Sequence, residues 1–160
     1  MRIEPSNRGK VAGDLQFKPM NQNYITDCNV TSIHGGIPIS HVWSSQSWNS
    51  SFLIASNALY LVIIEKEGVF LRFCQDNFTE KLRCILVTGC GFPDIATRAL
   101  VHCVKNRLPH VKVVCITDCN PFGLSLLLTY KFGSKAKDFE GSGLEVPRFS
   151  LHLSISLHTL

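Results

Sequence analysis

Seven consecutive apolar residues, ALYLVII at 58–64, end abruptly on an acid, Glu65, which opens Glu65-Lys66-Glu67-Gly68. A run that is apolar on both faces, this short and closed by a charge, reads as a strand covered on two sides. That is the pattern of a parallel sheet lying between helices. It recurs at 111–117, VKVVCIT, which leads straight into Asp118-Cys119-Asn120-Pro121-Phe122-Gly123. Between the two runs the rhythm alternates. The spacing at 67–77 predicts a helix with Val69, Phe70, Phe73 and Cys74 on one face. Residues 82–87 read as a strand ending at Thr88-Gly89-Cys90-Gly91, and a helix opens at Pro93-Asp94, where a proline and an acid both suit a first turn. Its apolar stripe is Ile95, Ala99, Leu100, Cys103, Val104 and Leu108, which leaves Arg98, Lys105 and Arg107 off the stripe. Residues 123–130 predict a third helix. Strands alternating with helices imply right-handed crossovers and an α/β fold with a mostly parallel sheet.

The ends of the chain are less regular. Residues 1–57 predict strands and loops packed on one side of the later sheet, with a turn at Gly35-Gly36-Ile37-Pro38 and a Ser/Asn/Gln-rich linker at 44–51. Residues 149–160, FSLHLSISLHTL, alternate apolar and polar as an amphipathic strand does, yet no partner strand is evident.

Ligands of parallel sheets bind beyond the carboxyl ends of the strands. Glu65 and Asp118 therefore converge if the strands at 58–64 and 111–117 are parallel neighbours. Glu65, Asp118 and Asn120 supply hard oxygens of the kind that hold Mg²⁺ through one or two carboxylates, waters and a substrate phosphate. Two carboxylates at one edge repel unless protonated or bridged by a cation. A plain structural account uses the same residues: Glu65 paired with Lys66 or an arginine, and Asp118 capping the next helix. Spacing alone does not separate the two.

Composition narrows the frame only a little. At 160 residues and 45% hydrophobic content the chain has a one-domain length and enough apolar surface for a core. A net charge of +4 permits an anionic partner without requiring one. The seven cysteines, mostly inside apolar runs and without a CxxC pair, predict reduced core thiols and an intracellular compartment rather than a zinc site. With no apolar stretch near ~18 residues, and with Arg2, Glu4 and Pro5 at the start, the expectation is a soluble chain with no membrane partner.

The strings IIEKEGVF, LVTGCGFPDIATRALVHCV and ITDCNPFGLSLLLTYKFGS, in this order and spacing, resemble the Toprim domain of the topoisomerase VI A-type family. Within it they look most like the eukaryotic meiotic proteins that make the double-strand breaks starting recombination. RGKVAGDLQF and GGIPI resemble the start of that domain, so the likeness runs over roughly residues 6–134. The resemblance implies a Toprim-like parallel sheet flanked by helices. Residues 1–57 would be its irregular, β-rich N-terminal part, 58–134 its core and 135–160 a divergent tail. It further implies Mg²⁺ held by Glu65, Asp118 and Asn120 beside a scissile phosphate of double-stranded DNA. In that family a tyrosine attacks the phosphate and stays bound to the 5′ end. The working unit is a homodimer or heterodimer of A-type subunits, joined by a B-type ATPase, on chromosomes in the nucleus. No P-loop pattern for ATP occurs here.

Three departures stand out. The attacking tyrosine belongs to a winged-helix domain with no counterpart here; Tyr24, Tyr60 and Tyr130 lie in no matching motif and are read as packing residues, so no catalytic nucleophile is assigned. Cys90 stands where many relatives carry a lysine. The tail departs from the family's continuation, which suggests a truncated or mis-spliced reading frame. Arg8, Lys10 and Arg98 are candidate DNA-phosphate contacts, and Asp94 is read as a helix-start residue. His34 and His41 are read as loop or surface residues, and His102 as facing solvent or a partner. Two other functions fit the same residues: a non-catalytic DNA-binding or dimerisation remnant, and a Toprim nuclease or primase that needs no tyrosine.

Overall fold

A computed structural model of the chain describes residues 8–19, 24–30, 32–40 and 52–132. In chain order its strands begin with β1 (Lys10–Gly13), β2 (Gln16–Pro19), β3 (Thr26–Asp27), β4 (Ile37–Pro38) and β5 (Phe52–Ala55). The alternating part follows as β6 (Tyr60–Ile64), α1 (Glu67–Gln75), α2 (Phe78–Leu82), β7 (Cys84–Thr88), α3 (Ile95–Arg107), β8 (Lys112–Ile116) and α4 (Pro121–Phe132). The main sheet runs β4-β1-β7-β6-β8, and β3-β2-β5 form a smaller one. The apolar runs are the parallel heart of the main sheet: β6 pairs in parallel with β7 on one side and β8 on the other.

Period-2 alternation assigns the two faces. Leu61 and Ile63 of β6, Ile85 and Val87 of β7, and Val113 and Cys115 of β8 pack with α3 and α4 residues such as Leu100, Val104, Leu126 and Tyr130. The intervening Val62, Ile64, Cys84 and Leu86 pack under Phe70 and Cys74 of α1. Both faces are covered, which is why the run at 58–64 shows no polar alternation. The cysteines are free; five are buried, Cys90 is half-buried and Cys119 is exposed. Burial pushes the Cys28, Cys84 and Cys115 thiols up to about 12, so at neutral pH they stay protonated core residues.

Two expectations change. The N-terminal strands do not merely pack on one side of the sheet: β1 is hydrogen-bonded into it, antiparallel to β7 with Lys10 opposite Thr88 and Gly13 opposite Ile85. Val11 and Ala12 are both fully buried because β1 lies between β4 and β7, with a core cluster on each face. Also, Leu82 ends a short helix, α2, instead of opening a strand. Asn77 and Arg83, both in the left-handed region (φ 53° and 50°), bracket this five-residue helix, which is too short for a helical period to appear in the sequence. The turn at Gly35-Gly36 is present, both glycines having positive φ. The linker at 44–51, His41 and the tail at 135–160 lie outside the described residues.

Candidate metal centre

Because β6 and β8 run parallel with Ile64 opposite Ile116, they deliver their following residues to the same sheet edge. The ladder continues one bond further, with the Glu65 N–H donating to the Ile116 carbonyl at 3.0 Å. The Glu65 carboxylate then accepts the backbone N–H of Asp118 at 2.9 Å. The Asp118 carboxylate turns to Lys66, whose Nζ lies 2.9 Å from Oδ2. The two acids named from the sequence thus sit side by side at the carboxyl edge, joined through the Asp118 amide. Both parts of the plain structural account change. Lys66 neutralises Asp118, not Glu65, and Asp118 does not cap α4.

That cap is Asn120, whose Oδ1 accepts the Gly123 N–H at 2.9 Å. The side-chain oxygen expected as a third metal ligand is thus engaged in holding the helix start. β7 closes the edge from the other side, where the Gly91 N–H donates to the Glu65 carbonyl at 2.9 Å. Cys90, at φ 52°, donates its backbone N–H to Thr88 Oγ1 (3.1 Å) and its thiol to the Arg8 carbonyl (3.1 Å). A pocket of roughly 270 Å³ opens beside the acids, with Ile64, Val69, Phe73 and Ile116 as apolar walls and Glu65, Lys66 and Asp118 among its polar lining.

The candidate DNA contacts fare differently. Arg8 is exposed at this edge. Lys10 reaches Glu67 at 2.6 Å, and that hydrogen bond raises its pKa, so its charge is already matched by an acid. Arg98 is corrected: expected off the apolar stripe and free to reach a phosphate, it is 2% exposed, and burial lowers its pKa. Among the described residues its Nη1 has no hydrogen-bond partner. The stripe reading failed because α3 is enclosed on more than one side, with Ala96 through Val101 all buried. Tyr130 is buried too, and burial pushes its hydroxyl well above the usual range, as suits a packing residue. Tyr24 is exposed, and Tyr60 is half-buried at the start of β6, the end remote from Glu65.

Asp94 is the N-cap of α3, accepting the Thr97 N–H (2.8 Å) and the Thr97 hydroxyl (2.7 Å). Asp94→Ala is expected to cost about 1–2 kcal/mol, read as a lower urea midpoint at unchanged slope.

The donor set suits a hard divalent cation: two carboxylates on a partly exposed edge, one of which already holds a cationic group at 2.9 Å. Among the described residues no cluster of three or more His, Cys, Asp or Glu side chains gathers as a metal site. The protein would therefore supply two carboxylates and leave the other positions to water and substrate, as Mg²⁺ commonly accepts.

The sequence is similar to those of known proteins. The family model for the Toprim domain of the topoisomerase 6 A-subunit/Spo11 group matches residues 60–153. Meiotic recombination protein SPO11-1 of Oryza sativa subsp. indica is 35% identical over 147 residues, 92% of this chain and 36% of that protein. SPO11-1 of Arabidopsis thaliana is 34% identical over 147 residues (92% and 38%). SPO11 of Homo sapiens is 31% identical over 149 (92% and 35%). The chain spans a little over a third of the length of these relatives.

Proposed function

The chain belongs to the topoisomerase 6 A-subunit/Spo11 family, and from that membership we propose that it is the Toprim part of a protein that makes DNA double-strand breaks in meiotic recombination. The single observation that carries the reading is the Glu65 carboxylate on the Asp118 amide at 2.9 Å, which fixes two acids where the parallel strands end. Glu65 and Asp118 would hold Mg²⁺; when bound, the ion neutralises phosphodiester charge and supports negative charge developing during displacement. Asn120 fixes the turn that carries Asp118 by capping α4. Of the three candidate bases, Arg8 is exposed, whereas Lys10 is paired with Glu67 and Arg98 is buried, so Arg8 is the one we assign to a phosphate. In this proposal the attacking tyrosine is supplied from outside residues 1–160: Tyr130 is buried, Tyr60 lies at the end of β6 remote from Glu65, and Tyr24, though exposed, lies in no matching motif. In this proposal the working assembly is nuclear, dimeric through A-type subunits, and coupled to ATP through a B-type partner.

Incubating this chain with supercoiled plasmid and Mg²⁺ tests the reading. The expected result is metal-dependent DNA binding without protein-linked 5′ ends. Protein-linked ends would place the nucleophile within these residues and overturn it. Nicks bearing free 5′ phosphates, lost in Glu65→Gln, would move the assignment to a tyrosine-independent nuclease.

A further inference from the structure

The same edge carries a lysine that the metal reading leaves without a task. Lys66 directly follows Glu65, and its extended backbone (φ −90°, ψ 126°) forms the N-cap of α1 without a side-chain cap bond. Its side chain is 59% exposed, yet its ammonium lies 2.9 Å from Asp118 Oδ2. The neighbouring Glu67 turns the other way, to Lys10 on β1. The two residues after Glu65 therefore diverge, and only Lys66 faces the acids.

A divalent ion bridging Glu65 and Asp118 would need the carboxylate that Lys66 now holds. A cation on that carboxylate and an ammonium in hydrogen-bond contact with it repel strongly. Occupancy by one therefore weakens the hold of the other. Displacing Lys66 meets little resistance, since an exposed ion pair is weakly held and the side chain stands in solvent. The displaced ammonium remains tethered next to Glu65, at the rim where a metal-bound phosphate would present its free oxygens. A compact ammonium with three rotatable donors is suited to such a contact.

We propose that Lys66 exchanges partners: it holds Asp118 while the metal is away and, when the metal displaces it, turns to the DNA phosphate. This rests on the Mg²⁺ assignment to Glu65 and Asp118. Lys66 is then a substrate-positioning residue that also sets the threshold for metal binding.

The test uses the whole chain as wild type, Lys66→Met and Lys66→Arg, with Mn²⁺ as the probe ion followed by electron paramagnetic resonance. Duplex affinity is measured by fluorescence anisotropy in Ca²⁺ across a salt series. Lys66→Met is expected to bind Mn²⁺ about threefold more tightly without DNA, the scale of an exposed ion pair. Its duplex affinity should fall, with the salt dependence lower by about one counterion. Lys66→Arg should keep the wild-type salt slope. Equal or weaker Mn²⁺ binding by Lys66→Met, or an unchanged salt slope, overturns the exchange while leaving the metal site standing. No Mn²⁺ binding by the wild type would instead overturn the metal assignment itself.

Discussion

Glu65→Gln is expected to lower Mn²⁺ affinity by about a hundredfold, roughly 2.7 kcal/mol, while leaving the fold intact. The substitution removes one of the two carboxylates assigned to the ion. Glu65 is also the acid whose position is fixed from both directions: its N–H donates to Ile116, its carboxylate accepts from Asp118 and its carbonyl accepts from Gly91. Gln keeps the length and an oxygen able to accept the Asp118 N–H, so what is lost is charge. The direct Coulomb attraction is several kcal/mol at an effective dielectric constant of about 20, and rehydration of the ion returns part of it. Mn²⁺ titration followed by electron paramagnetic resonance reads the change, and thermal unfolding serves as the control. Glu65→Ala differs in kind, because it also leaves the Asp118 N–H without an acceptor and adds about 1–3 kcal/mol of destabilisation. A Gln variant that binds Mn²⁺ like the wild type would remove the metal from this edge.

Gly123→Ala is expected to destabilise the chain by about 2–3 kcal/mol and to weaken metal binding with it. Gly123 lies in the first turn of α4, where the helix folds back against the strand end that precedes it. A Cβ there would clash with the carbonyl oxygen of Asp118 and come within 3.0 Å of Thr117 Cβ. The obstacle is backbone and a β-branched residue of the β8 exit, so relief requires moving Asp118 or tilting the helix. Either shift also disturbs the Asn120 cap on the Gly123 N–H. Gly68→Ala is the matching control. It sits in α1, a Cβ there meets nothing within 4 Å, and it should be neutral or stabilising by up to about 1 kcal/mol. Urea unfolding of both variants beside Mn²⁺ titration checks the pair; equal stability of the two would contradict the packing argument.

Much of the architecture is legible along the chain, for a physical reason. The three parallel strands are buried on both faces and so write themselves as unbroken apolar runs. Residues just past such runs must lie at the carboxyl edge, which locates Glu65 and Asp118. Helix starts are legible where a local residue makes the first bond, as Asp94 does with Thr97. Inferences that need knowledge of a third element fare worse. Arg98 looks exposed on a helix judged by one stripe, and is buried because α3 is enclosed on more than one side. Asn120 reads as a ligand from its type and spacing, and its side chain supplies the cap that α4 requires.

The order of residues alone thus determined the alternating layers, the burial of the strands and the identity of the two acids, because each follows from local period and charge. Only the tertiary structure decided their partners: that β1 enters the main sheet beside β7, that Lys10 is matched by Glu67, and that Lys66 lies on Asp118 instead of Glu65. Those pairings join residues 52 to 78 positions apart, and no local pattern encodes which of several nearby charges the folded chain will bring to within 3 Å.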